Sequence, residues 1–169
     1  MYKYIISFFV LLIGFILIKS IDIRKRLTFY INRIDKTNDS IKDNLVKKYE
    51  LLVKQIKLFK NKKKIKEDDY SDFLSINTKE IPLIKLDDEI NNYKKMLDII
   101  LQYNNKLVKD HHIKENINDI EKVDVTIKGL KKYHNTLVLK YNHYRNKLLS
   151  RLISKIYKFN KINEYEITK

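Results

Sequence analysis

The pattern of apolar and polar positions divides the chain into two regimes. From Tyr4 to Ile18 the run YIISFFVLLIGFILI carries no charge, and only Ser7 and Gly14 interrupt its large apolar side chains. Beyond it, apolar residues recur at helical intervals. Leu27, Ile31, Ile34, Ile41, Leu45, Tyr49, Leu52, Ile56 and Phe59 follow in steps of three, four or seven, with Asn38 filling the one gap. Such a narrow stripe, of the coiled-coil kind, predicts one long helix over 21–62 that continues out of the apolar run. Its weakest stretch is Lys36–Ser40, where short polar side chains compete for backbone hydrogen bonds. Tyr70, Phe73 and Leu74 suit a short helix within 67–76. Pro82 marks a helix start, and Leu86, Ile90, Tyr93, Leu97, Ile100, Leu101 and Leu107 carry a stripe over 82–109. After the turn Asp110-His111-His112, a last stripe runs over 113–149: Ile113, Ile117, Ile120, Val123, Ile127, Leu130, His134, Leu137, Val138, Tyr141 and Leu148. The fold class that follows is all-α, an N-terminal transmembrane helix (1–20) followed by an antiparallel bundle of about four helices (21–149), three of them long, then a basic segment (150–169).

The apolar run is short for a membrane span. Its fifteen residues fall below the roughly 17–20 that a spanning helix needs. Lys3 and Lys19 can snorkel, and Tyr2 and Tyr4 suit the headgroup region. Tyr2 to Lys19 then reaches about 27 Å at a 1.5 Å rise, enough for a thin bilayer. A cleaved signal peptide has an apolar region of this size, but Ile18-Lys19-Ser20 is a poor cleavage site. A buried core helix would require an unusually large core. The reading is therefore a single-pass anchor through Tyr4, Phe8, Phe9, Leu12, Phe15 and Ile18, with the lipid bilayer as its partner. One basic residue, Lys3, precedes the run, whereas Lys19, Arg24, Lys25, Arg26, Arg33 and Lys36 follow it. Basic flanks stay on the cytoplasmic side, so the expected location is the cell membrane, N-terminus out, bundle in the cytoplasm.

Composition adds constraints. Two glycines and one proline argue against a strand-rich fold with many tight turns. The absence of cysteine excludes disulfides and thiolate metal sites. The net charge of +15, carried by 36 basic residues of which only five are arginine, favours an anionic neighbour. It concentrates in KNKKKIK, where Lys60, Lys62, Lys63, Lys64 and Lys66 suit a helix end or a contact with an anionic lipid surface.

No chemistry is legible. Asp68, Asp69 and Asp72 lack the glycine and terminal glutamate of a calcium loop. Asp87, Asp88 and Glu89 are explained by the favourable dipole near a helix start. Adjacent residues on a helix do not share a face, so His111 and His112 are not expected to hold one metal. His134 and His143 are nine apart, without an i, i+3 carboxylate partner. No catalytic residue, metal ligand or cofactor follows.

The C-terminal third carries a resemblance. His134-Asn135-Thr136-Leu137-Val138-Leu139-Lys140-Tyr141-Asn142 resembles the paired Tyr-Asn signature of LemA-family proteins, with His134 in place of the first tyrosine and Asn135, Val138, Tyr141 and Asn142 matching. Leu152 to Phe159 is similar to that family's segment ending in Phe, and Glu164-Tyr165-Glu166 to its ending. Tyr49, Glu50 and Leu51, after Lys47-Lys48, resemble its basic pair followed by Tyr, Asp and Leu; Glu121 and Ile127 fall in its Glu-x-x-Ile region. Val53 and Leu149 stand where the family has proline, Lys54 where it has asparagine and Lys158 where it has glycine. Without those breakers the helices are expected to run on where relatives bend. The resemblance implies a bacterial single-pass membrane protein with a helical bundle and no established catalytic activity. The expected function is thus a tethered protein-interaction or membrane-surface scaffold, not an enzyme, with an unnamed membrane or cytoplasmic protein as partner. A membrane-associated nucleic-acid-binding bundle is the less favoured alternative, for lack of arginine and of any recognised motif.

Overall fold

A computed structural model describes residues 2–62 and 70–165. Among the described residues the chain forms helices and no strand: α1 (Tyr2–Asn61), α2 (Ser71–Leu74), α3 (Leu83–Tyr103), α4 (Asn105–Val108), α5 (His111–Arg145) and α6 (Leu148–Ile156). The coarse expectation, an all-helical chain with one long apolar N-terminal helix, holds. α1 passes through Lys36–Ser40 and through Val53-Lys54 without interruption. Asn44 and Thr37 each bond back to a carbonyl one turn earlier, so the polar side chains there follow the helix and do not break it.

The chain divides into two compact units, 1–38 with 131–169, and 39–130. In the second, Ile41, Leu45, Leu52, Ile56 and Phe59 of α1 are buried, as are Leu86, Ile90, Leu97 and Leu101 of α3 and Ile113, Ile120, Val123 and Ile127 of α5. Phe73, fully buried on α2, stacks between Tyr49 and Tyr93 at 4.9 and 4.3 Å, and the Tyr49 hydroxyl donates to the carbonyls of Phe73 and Leu74. Asp110 opens α5, its Oδ1 accepting the amides of His112 and Ile113, and it pairs with Lys62 at the end of α1. The Lys62 contact and these cap bonds hold its carboxyl below the usual range.

Several stripe positions differ from the sequence reading. Thr37, not Asn38, is the buried residue between Ile34 and Ile41. Lys48, not Tyr49, occupies the buried row between Leu45 and Leu52. Asn116 is buried where Ile117 was expected; its Nδ2 donates to the carbonyl of Leu51 at 3.0 Å. In each case a one-residue rotation about the helix separates the two readings, and a hydrophobicity pattern resolves no finer than that. Leu148 is exposed, because α5 ends at Arg145 and the chain restarts as α6.

Lys48 is buried among charges. Its Nζ lies 2.6 Å from Oδ1 of Asp124 and 2.8 Å from Oδ1 of Asn91, and Lys94 Nζ lies 2.6 Å from Oδ2 of Asp124. One carboxylate thus joins α1, α3 and α5. Burial lowers the Lys48 ammonium despite the Asp124 bond. Burial also works against the Asp124 carboxylate, yet the two lysines hold it below its ordinary value.

In the first unit, Ile23, Leu27 and Ile34 of α1 pack with Leu137, Val138 and Tyr141 of α5 and Ile153 of α6. After α6 the chain turns at Lys158, whose φ of 56° lies in the left-handed region. The amide of Phe159 reaches back to the carbonyl of Ser154 at 2.9 Å, closing the helix end with a Schellman-type bond. The expectation that replacing the family's glycine by Lys158 lets the helix run on is therefore not met. The turn forms with a residue that pays a steric penalty in it, because the bonds beyond it hold the chain there. Lys158→Gly is expected to raise stability by about 0.5–1 kcal/mol, the left-handed strain of a side chain less the extra freedom of glycine when unfolded. A thermal midpoint that stays put or drops would contradict this.

Candidate functional site

Among the described residues, the most extensive set of side-chain-to-backbone bonds lies where α5 meets the segment after α6. Residues 159–165 have no regular secondary structure, so their backbone groups need partners from elsewhere. One face of α5 supplies them. The Nδ2 of Asn142 donates to the carbonyl of Ile162 at 2.8 Å, while its Oδ1 accepts the Ile162 amide at 3.3 Å. Asn135 treats Tyr165 the same way, with both bonds at 2.8 Å. The Tyr141 hydroxyl donates to the carbonyl of Asn160 and Arg145 Nε to that of Phe159, each at 2.8 Å. The tail runs opposite to α5.

The spacing has a simple geometric basis. Seven residues of helix rise about 10.5 Å, and three residues of extended chain span about 10 Å. Asn135 and Asn142 therefore meet Tyr165 and Ile162 in register. An asparagine amide offers one donor and one acceptor side by side, as a strand neighbour does. It can read backbone and ignore side chains.

Tyr165 closes the far end. Its hydroxyl donates to Oδ1 of Asn38 at 3.0 Å, its ring meets His134 edge-on at 4.5 Å, and Lys131 Nζ lies 5.8 Å over the ring. His134 is buried, with Nδ1 3.3 Å from Oδ1 of Asn135. Burial pushes this imidazole below its ordinary value, partly offset by the Asn135 contact and the charge of Glu164.

The structure brings together Asn135, Tyr141, Asn142 and Phe159, four of the motif positions quoted above, and places Val138 in the core beside them. The common task of Asn135, Tyr141 and Asn142, holding an extended segment that begins at Phe159, is not visible in the sequence. The one signal is the seven-residue interval between two asparagines on a helix whose downstream chain lacks a stripe. Of the remaining motif residues, Tyr49 binds the α2 carbonyls, Leu51 accepts from Asn116, and Glu50 is exposed.

The other expected positions fall as follows. Tyr4, Phe8, Phe9, Leu12, Phe15 and Ile18 are all exposed, and none of the most apolar 18-residue window of α1 is buried. This run is not a core helix of the chain, and among the described residues it is the one long and apolar enough to cross a membrane. Lys60 is exposed at the end of α1, and Lys62 is committed to Asp110; Lys63, Lys64 and Lys66 lie outside the described residues. Asp87 takes the amide of Asn91 at 3.1 Å and stands in the second turn of α3. His111 and His112 come closer to a shared focus than adjacent residues were expected to. Their ligand atoms and that of Glu115 lie within 4.8 Å of one another at the start of α5. All three are exposed.

No protein-family model, curated protein or solved structure matches this chain.

Proposed function

We propose that the protein is a membrane-tethered interaction scaffold of LemA-like build. Tyr4–Ile18 crosses the bilayer once, with the N-terminus outside. The remainder stands in the cytoplasm as a helical bundle, in which α1 and α5 form the antiparallel pair and α3 with the short α2 complete it. Tethering confines the bundle to the membrane surface and raises its effective concentration toward partners held there. The function is contact, with the polar faces of the helices and the lysine-rich flank as the contacting surfaces.

The observation that carries this reading is the exposure of every large apolar side chain in the run, on a helix that continues without a break into buried positions such as Leu27 and Ile34. In water such a surface would be a severe liability; in lipid it is a span. The basic residues Lys19, Arg24, Lys25 and Arg26 directly after it suit the cytoplasmic headgroups.

The full chain carrying a C-terminal tag is expected to stay in the membrane pellet through an alkaline carbonate wash. On intact cells it should resist added protease, and be digested once the cells are opened. A mature chain that begins beyond Ser20, or one recovered in the wash, would refute the anchor. Digestion on intact cells would reverse the orientation.

A further inference from the structure

Helix α6 is built inside out. A helix packed on a core normally turns its apolar stripe inward. Here Leu148, Leu152 and Ile156 are 83%, 57% and 73% exposed, while Ser150 and Ser154 are buried beside Ile153. At 100° per residue the exposed side chains Leu148, Leu149, Leu152 and Ile156 share an arc of about 100°, with Arg151 and Lys155 along one edge. Ser154 satisfies itself, its hydroxyl donating to the carbonyl of Ser150 at 2.6 Å, so the small face can seat against the core without a lost hydrogen bond.

Its place on α1 says what covers the apolar side. Ile153 belongs to the buried cluster that holds Ile23, Leu27 and Ile34 of α1. Tyr157 lies under the Arg24 guanidinium at 4.8 Å. Ser150 bonds to Tyr144, whose ring faces Arg26 at 5.9 Å. The C-terminal end of α6 thus lies beside the turn Ile23 to Leu27 of α1. That turn begins five residues after Ile18, roughly 7–8 Å along the helix axis. The headgroup layer of a bilayer is about 5–8 Å thick on each side. That turn therefore starts at the outer edge of the headgroup layer, with Arg24, Lys25 and Arg26 on it and Arg151 and Lys155 on the helix beside it.

We propose that α6 is an interfacial membrane helix, lying in the plane of the cytoplasmic leaflet with Leu148, Leu152 and Ile156 in the acyl boundary and Arg151 and Lys155 on anionic headgroups. An exposed apolar face flanked by basic residues is the form such helices take. The proposal rests on the anchoring reading above. It gives the protein a second contact with the bilayer, one that fixes the rotation of the bundle about its anchor and senses the charge of the leaflet.

The absence of cysteine allows a clean test. The full chain is reconstituted into vesicles of phosphatidylglycerol and phosphatidylcholine with a single environment-sensitive fluorophore at Leu152→Cys. Parallel samples carry it at Phe8→Cys, within the span, or at Lys140→Cys, exposed on α5. Emission at position 152 is expected to shift to the blue, to rise several-fold over position 140, and to be quenched more by a shallow than by a deep doxyl lipid. Adding Leu148→Glu and Ile156→Glu should return the signal to that of water. A lipid-quenched label at position 8 with a water-like label at 152 overturns the interfacial helix and leaves the anchor standing. A blue-shifted label at 152 that no doxyl lipid quenches assigns the face to a protein or a second copy, and overturns it too. No quenching at position 8 removes the anchor, and this proposal with it.

Discussion

Asp124→Ala is expected to destabilise the 39–130 unit by about 3–5 kcal/mol, the usual cost of removing one partner from a buried ion pair. Lys48 is 3% exposed, and its charge rests on Asp124 and the Asn91 oxygen. Without the carboxylate, two ammonium groups from α1 and α3 face each other across a poorly solvated space. The reverse change separates this from a general sensitivity of the site. Lys48→Met removes the cation that costs most to bury, keeps Asp124 paired with Lys94, and fits the row of Ile34 and Ile41. It is expected to lie within about 1.5 kcal/mol of the parent, or to be more stable. Urea unfolding of the full chain in detergent, followed by helical circular dichroism, measures both. Equal losses for the two variants would show that the charges are not coupled as described.

Lys48 also marks the limit of what the sequence discloses. The long stripes of α1, α3 and α5 were legible because apolar residues dominate them, and so were the Asp110 turn, the Pro82 start and the short helix around Phe73. Lys48 reads as solvent-facing until Asp124 and Asn91 are known to converge on it from two other helices. Asn116 is similar, since its partner is the carbonyl of Leu51 on another helix. The break between α5 and α6 occurs at Asn146-Lys147, without proline or glycine, and so carries no local signal. The tail clamp was half visible. Its asparagines stood out as a motif, but an amide that pairs with backbone leaves no trace in the residues it pairs with: Ile162 and Tyr165 are recognised through groups every residue has. The inverted face of α6 was hidden for the opposite reason. Its amphipathic pattern is plain, but a pattern does not state which side is turned to the core.

Asn142→Ala is expected to speed exchange of the Ile162 amide by roughly 30-fold, and Asn135→Ala that of Tyr165 by a similar factor. Each substitution deletes two hydrogen bonds worth about 1 kcal/mol apiece, and tenfold corresponds to about 1.4 kcal/mol. The double variant should release 162–165 and leave most of the helices protected, since Arg145 and Tyr141 still hold Phe159 and Asn160, and Ile34, Leu137 and Val138 remain buried with Leu27 and Tyr141. Asn142→Asp is the sharper probe. It keeps the size and the oxygen that accepts the Ile162 amide, but turns a second oxygen toward the Ile162 carbonyl, and should open the clamp as far as alanine does. Acid should act on the same segment through His134. Its folded-state proton affinity is depressed, so the unfolded or released state binds the proton more readily. The associated stability is complete above about pH 6.5 and declines as pH falls below it. Exchange of the Tyr165 amide, corrected for its intrinsic rate, should therefore accelerate between pH 7.5 and 5.5. His134→Tyr, which keeps a ring against Tyr165 and removes the titration, should flatten that dependence. If the pH response survived in His134→Tyr, protonation of another group would be governing the tail.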